Sequence, residues 1–186
     1  MVLPWDKDFL SSETELSSKT ILYASEGQNV NNVSRSIVKK ILGNIDSKDY
    51  LNLPLEEIAS QNFIFLYPKD KSVIDIDQIR DSFKYLFLKS NSKRLLYLEN
   101  IERIETRTFN TLLKFSEEAD KNMIICMSTN NINIVPKTIL SRFQKLKIPK
   151  PSYENVKQYL VNLSLNFDEQ KNDFILQNLN LLSEGE

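Results

Sequence analysis

Short runs of continuous apolar residues alternate along this chain with longer segments in which apolar residues return every three or four positions. Thr20-Ile-Leu-Tyr-Ala24 predicts a first strand, followed by a polar loop that contains Gly27. Val30, Val33, Ile37, Val38 and Ile41 then recur at helical spacing, and Gly43 stands where that helix would stop. Asn62–Tyr67 predicts a second strand, closed by Pro68, and Asp77 is placed to cap a helix whose inner face is Ile79, Phe83, Leu86 and Phe87. Arg94–Leu98 predicts the third strand, and a helix over Arg107–Glu118 buries Phe109, Leu112 and Leu113. Met123–Met127 reads as the fourth strand. Gln144–Ile148 reads as the fifth, with Leu146 and Ile148 alternating with Lys145 and Lys147.

Continuously apolar strands separated by helices mark a parallel sheet covered on both faces. The expected fold class is therefore α/β, with a five-stranded parallel sheet over residues 1–148. Asn44–Ser60 is expected to be a helix–loop connection whose Leu51, Leu53, Leu55 and Ile58 cover the core, and Phe63, Phe65, Phe83, Phe87 and Phe109 fall at core periodicities. Pro149 and Pro151 then break the chain. Ser152 can cap a further helix bearing Tyr153, Val156, Tyr159, Leu160 and Leu163, and a second helical pattern runs through Phe174, Ile175, Leu179 and Leu182. Two helices bury little on their own, so residues 149–186 are expected to be the beginning of a helical domain, or one that packs on something else.

Composition narrows the functional classes. The 186 residues carry 24 Lys+Arg and 25 Asp+Glu, a formal charge of −1, and are 41% hydrophobic and 26% charged, an ordinary globular balance. Nucleic-acid contact, if any, is then local or made alongside partners. No apolar run reaches the roughly 18–20 residues that cross a bilayer, and Asp6, Lys7 and Asp8 behind Trp5 leave no signal-peptide apolar region. Cys126 is the single cysteine and there is no histidine. That excludes a disulfide framework, a Cys/His zinc site and histidine general-base chemistry, and makes a reducing cytoplasm the expected compartment. No membrane partner is expected.

Candidate chemistry sits at strand ends. In an α/β fold the loop after the first strand is where phosphate would bind, and here it reads Ala24-Ser-Glu-Gly-Gln-Asn-Val-Asn31. A working phosphate loop needs glycines, a Lys for the β/γ-phosphates and a Ser/Thr for Mg²⁺. Only Gly27 fits; Val30 stands at the Lys position and Asn31 at the Ser/Thr position. Alone, the loop reads more readily as an ordinary strand-to-helix turn. After the third strand, Glu99 is a possible distorted metal ligand, but Asn100 cannot act as a base, and both also suit solvated residues capping the next helix. Lys137 to Lys150 holds Lys137, Arg142, Lys145, Lys147 and Lys150 and no acid. That stripe suits a triphosphate or a nucleic-acid backbone, and equally the wet face of a half-exposed strand. For Arg142 the residues alone favour a surface arginine in a solvated ion pair.

Three segments occur in order: Asn110-Thr-Leu-Leu-Lys-Phe-Ser-Glu-Glu118, Ser128-Thr-Asn-Asn131 and Ile139-Leu-Ser-Arg-Phe-Gln144. Together they resemble the bacterial DNA polymerase III clamp-loader subunits, whose pattern is N-A-L-L-K-x-L-E-E-P, a Ser/Thr-rich sensor turn, and I-L-S-R-C. Pro4-Trp5, Asp8-Phe9 and Asp75–Arg80 are similar to further family segments, and the resemblance runs from Pro4 to about Leu160. Within the family the match is to the delta-prime branch rather than the gamma/tau motor.

The resemblance implies a P-loop-NTPase-like AAA+ domain over residues 1–148, a degenerate phosphate loop (Gly27, Val30, Asn31), a degenerate acidic motif (Glu99, Asn100) and sensor-like Ser128 and Thr129. By the same resemblance, residues 149–186 begin a small helical lid domain. It further implies that Arg142, with Ser141 and Phe143 of the Ser-Arg-Cys-like turn, is offered in trans to ATP on a neighbouring subunit. The expected partners are clamp-loader gamma/tau and delta subunits, and through them the sliding clamp and primer–template DNA. The sequence departs from the family at Ala119 and Phe143. Asn44–Ser60 replaces the family's four-cysteine zinc module, so neither a metal nor a cofactor is expected. Two rivals remain: an active ATPase with an unusual loop, and a stand-alone adaptor of AAA+ descent.

Overall fold

The computed structural model describes residues 9–10, 16–25, 28, 30–68, 73–74, 76–86 and 92–163. Its elements, in order, are β1 (Lys19–Tyr23), α1 (Val30–Asp46), β2 (Phe63–Leu66), α2 (Ile76–Leu86), β3 (Arg94–Leu98), α3 (Thr106–Glu118), β4 (Met123–Thr129), α4 (Lys137–Leu140), β5 (Gln144–Lys147) and α5 (Tyr153–Leu163). All five strands are parallel and lie in the order β2-β3-β4-β1-β5. The interior strands are the apolar ones. Every residue of β3 is buried, whereas the edge strand β5 is Gln-Lys-Leu-Lys and largely exposed. Polar residues on β5 let it sit at the sheet margin without inviting further strand pairing.

The chain covers the two faces with different helices. On one face α1 packs Val30, Val33, Val38 and Leu42 against Leu22, Leu95, Tyr97 and Cys126, with Phe9 and Leu10 joining that core. On the other, Ile79 and Phe83 of α2, Phe109 and Leu112 of α3 and Ile139 of α4 pack against Ile21, Leu96, Ile125 and Met127. The register sets the site. Tyr23 lies opposite both Thr129 of β4 and Lys147 of β5, and Leu98 lies opposite Met127. The loops after β1, β3, β4 and β5 therefore leave the sheet side by side. The connection from β1 crosses one face while those from β3 and β4 cross the other, which opens a crevice at the strand ends.

Several expectations need correction. Gly43 does not stop its helix. α1 continues to Asp46, where Ser47 takes the left-handed conformation (φ 53°) and Lys48 N–H donates to Gly43 O at 3.1 Å, a Schellman-type end. Glycine is needed at 43 for space instead, since a Cβ there would lie 2.7 Å from Lys48 O. Asp77 falls inside the first turn of α2 rather than at its cap. Leu51 and Leu53 are 58% and 43% exposed. Tyr50 takes the inward position and donates its hydroxyl to Asp46 at 2.8 Å, while Leu55 is buried and Ile58 packs on the core. β4 extends two residues further than its apolar run, because Ser128 and Thr129 pair with β1.

Phe63, Phe83 and Phe109 are buried and Phe65 partly so. Phe87 and the Leu86 side chain lie outside the described residues, as do Pro4, Trp5, Asp8, Asp75 and the helical pattern after 163. Ser152 caps α5 as expected, its Oγ accepting from Asn155 N–H at 3.2 Å.

Candidate functional site

A cleft of about 850 Å³ lies at the strand ends, and six side-chain amides line it: Gln28, Asn31, Asn100, Asn130, Asn131 and Asn133. Arg103, Glu102 and Lys147 bring charge to it. Around this cleft the side chains at the motif positions bond to one another. Asn31 Nδ2 donates to Asn100 Oδ1 at 3.0 Å, and Asn31 Oδ1 accepts from Ser128 Oγ at 3.4 Å. The amide at the Ser/Thr position thus bridges the strand-three motif and the sensor-like serine. Asn100 is held for this in the left-handed region (φ 55°), a conformation asparagine tolerates better than most residues.

The described backbone donors of the β1–α1 loop are also bonded within the protein. Ser25 N–H donates to Gln28 Oε1 at 3.2 Å, Gln28 N–H to Ser25 O at 3.1 Å, and Val30 N–H to Asn130 Oδ1 at 3.2 Å. Gln28 Nε2 reaches across to Pro149 O at 3.1 Å. Gly27 lies outside the described residues. Val30 itself is fully buried in the α1-side core.

Glu99 is neither solvated nor open. It is only 2% exposed, and Arg35 grips it through Nε at 2.6 Å and Nη2 at 2.7 Å, with a second contact from Arg35 to Glu56 at 2.9 Å. This overturns the reading of Glu99 as a solvated cap, and it leaves the carboxylate already neutralised. A bidentate fork is the strongest partner such a buried carboxylate can have. The paired carboxylate raises the Arg35 guanidinium further above its ordinary value, chiefly through these hydrogen bonds.

Tyr97 completes the buried part. Its hydroxyl lies 2.7 Å from Ser34 Oγ, 2.9 Å from Ser128 Oγ and 3.4 Å from Glu99 Oε1, and all three hydroxyl-bearing residues are fully buried. Burial first, and then the Glu99 charge, raises the phenol well above its usual range. Cys126 shares this face, and burial pushes its thiol up to about 12, so thiolate reactivity is suppressed. Thr129 faces the next turn, where its Oγ1 accepts from Asn131 N–H at 3.0 Å.

The Arg142 turn is built differently. α4 ends as Ser141 N–H donates to Lys137 O, and Arg142 and Phe143 N–H both donate to Ile139 O. Phe143 is 5% exposed and anchors the turn in the core beneath α4. Ser141 Oγ donates to Thr138 O at 3.0 Å. Arg142, pinned between these two, stands just before β5, donates Nη1 to Thr138 O at 3.0 Å and is no part of the cleft wall. It meets Glu117 at 2.9 Å in an exposed pair.

The structure thus brings Asn31, Asn100, Glu99 and Ser128 together, and keeps Arg142 apart from them. Sequence reasoning missed Ser34, Arg35, Tyr97 and Asn130. One signal was present: Tyr97 and Glu99 are two residues apart on a strand path, which places them on the same face. Among the described residues no helix is long and apolar enough to cross a membrane, and no three acidic or cysteine side chains converge as a metal site.

The sequence profile of the family described as DNA polymerase III, delta subunit, matches residues 11–152, well over half of the chain. Over 132 residues the chain is 28% identical to DNA polymerase III subunit gamma of Buchnera aphidicola subsp. Baizongia pistaciae, covering 69% of this chain and 35% of that protein. The same subunit from Buchnera aphidicola subsp. Acyrthosiphon pisum is 31% identical over 101 residues, covering 52% and 28%. The chain therefore spans about a third of the length of these curated relatives. The crystal structure of a gamma subunit-related protein from Thermotoga maritima superposes with a TM-score of 0.56 at 19% identity, over 77% of this chain and 46% of that one. That likeness is one of fold, an α/β architecture. The profile match shows that the chain belongs to the DNA polymerase III delta subunit family of clamp-loader-like AAA+ proteins.

Proposed function

We propose that this chain is a non-catalytic clamp-loader subunit of the delta-prime kind. It would stand as the rigid member of a complex with gamma/tau-type ATPase and delta-type subunits that opens a sliding clamp for primer–template DNA. Its own contribution to ATP hydrolysis would be Arg142, presented to the nucleotide of the neighbouring ATPase. The curated relatives bear the gamma name, so the choice between branches rests on site residues rather than on overall similarity.

The observation that carries this reading is the bridge between Asn31 and Asn100. A triphosphate with Mg²⁺ needs loop N–H groups aimed outward, a lysine and an acid able to face the metal. Here the described loop donors are bonded within the protein, Val30 replaces the lysine inside the core, and the acid at the end of strand three, Glu99, is paired with Arg35. These residues do not fit the group, and no chemical step is assigned to this cleft.

Arg142 has the opposite properties. Its guanidinium is permanently charged, half-exposed and mounted on a turn fixed by Phe143. An arginine offered in trans to a γ-phosphate stabilises charge that develops in the transition state, an effect on the order of 10³–10⁵ in rate among GTPases. The test pairs two measurements. Calorimetry of the chain with Mg-ATP should show no binding heat, and Arg142→Ala should slow clamp-stimulated hydrolysis in the assembled loader. Micromolar binding with hydrolysis by the isolated chain would overturn the non-catalytic reading. Unchanged hydrolysis with alanine at 142 would remove the finger.

A further inference from the structure

Arg142 is held at both of its terminal nitrogens, by acceptors of different kinds. Nη1 donates to Thr138 O at 3.0 Å, a backbone carbonyl four residues earlier in the same turn. Nη2 lies 2.9 Å from Glu117 Oε1, on the last turn of the separate helix α3. The first contact is neutral, local and travels with the turn. The second is charged, comes from another element, and joins side chains that are 42% and 52% exposed. Residues 137 to 150 contain five basic residues and no acid, so the counter-charge for Arg142 has to come from elsewhere, and Glu117 supplies it.

A carboxylate and a phosphate present the same kind of oxygen acceptors to a guanidinium fork. We infer that Glu117 is a stand-in acceptor: it parks Arg142 in the free chain, and the phosphate of a neighbour's nucleotide replaces it when the finger engages. Glu117 is thus a positioning residue acting through Arg142, and it opposes engagement. This rests on the in-trans role proposed for Arg142. The Thr138 contact keeps the guanidinium oriented during the exchange, and release of Glu117 turns Nη2 over to the incoming oxygens. Exposed ion pairs bias an equilibrium by about fivefold at most, small enough for a more highly charged phosphate to reverse.

The experiment uses the loader assembled with the full chain as wild type, Glu117→Gln, Glu117→Ala, Arg142→Ala and the Glu117→Gln/Arg142→Ala double variant. Steady-state hydrolysis is measured across ATP concentrations, and the melting temperature of each free chain is recorded. Glu117→Gln and Glu117→Ala should raise kcat/KM by up to about fivefold with the melting temperature nearly unchanged, and the gain should vanish when residue 142 is alanine. A slower rate in the Glu117 variants, beside a slower Arg142→Ala, means that Glu117 helps hold the finger in its working pose; parking is then wrong while the finger stands. No change in the Glu117 variants beside a slow Arg142→Ala likewise overturns parking alone. A gain that persists with alanine at 142 overturns it too. Arg142→Ala with normal hydrolysis removes the finger itself.

Discussion

The cleft at the ends of β1, β3 and β4 and the turn before β5 handle polar groups in opposite ways. Behind the cleft, and linked to its wall through Asn31, Ser34, Tyr97 and Ser128 are fully buried and Glu99 nearly so, and each is bonded to another side chain of the set or to Arg35. At the turn, Arg142 and Glu117 are both about half exposed and meet in water. The difference lies in what an outside ligand would have to displace. Opening the buried set strands polar groups away from water, which costs about 1–3 kcal/mol for each neutral group and more for a charge. Opening the exposed pair leaves both partners solvated, at a cost of about 1 kcal/mol or less. An incoming phosphate is therefore met at lower cost by the exposed turn than by the buried set.

The largest effect is expected where that contrast is sharpest. Arg35→Ala would leave Glu99 buried beside Tyr97 without its cation. Removing one partner of a buried pair costs about 3–5 kcal/mol, and because Arg35 is partly exposed the expected loss is near the lower end, about 3 kcal/mol. Urea denaturation should show it as a lower midpoint. A loss under about 1 kcal/mol would mean that the Glu99 pair behaves like a surface pair, and the comparison between the two regions would fail.

Tyr97→Phe should come next. It keeps the ring and its stacking near Phe65 but deletes the oxygen shared by Ser34, Ser128 and Glu99. Leaving those hydroxyls short of a partner should cost about 1–3 kcal/mol. The double variant with Ser128→Ala should then cost less than the sum of the singles, since both remove the same bond.

Gly43→Ala probes the helix that carries Ser34 and Arg35 while touching neither region. On propensity alone, alanine in a helix gains up to about 1 kcal/mol over glycine. Here the added Cβ would meet the Lys48 carbonyl at 2.7 Å, so the chain after α1 must shift, and a net loss of about 1–2 kcal/mol is expected. A higher melting temperature would show that the α1 end yields without cost.

Residues 43 and 99 also mark the limits of what the sequence could reveal. The first four strands were legible to within about two residues because buried parallel strands are continuously apolar, and the exposed edge strand β5 was legible from its alternation, patterns that need no partner to be recognised. Gly43 was misread because a glycine late in a helix looks the same whether it ends the helix or admits a neighbouring carbonyl. Leu51 and Leu53 were expected in the core because they are apolar, yet Tyr50 fills the place beside them. The motif positions Asn31, Asn100 and Ser128 were named by resemblance, and their side chains do meet. Their bonding was not legible, because it depends on groups far apart in the chain. Arg35 is 64 residues from Glu99, and Val30 is 100 from Asn130. Neither carries a local mark of its partner.

The smallest expected effect is the most discriminating for the exposed turn. Arg142→Ala removes one exposed ion pair and one bond to a carbonyl, while Phe143 and the backbone bonds to Ile139 keep the turn in place. Surface substitutions of this kind change stability by about 0.5 kcal/mol or less. Arg142→Lys should be equally silent in the free chain, since an ammonium can still pair with Glu117. In the assembled loader the two should diverge: lysine should restore hydrolysis only in part, because a single ammonium cannot present the planar two-nitrogen fork. A melting temperature that falls several degrees with Arg142→Ala would assign the residue to bracing the turn. The contrast with the buried set would then be one of degree, with both regions serving the fold.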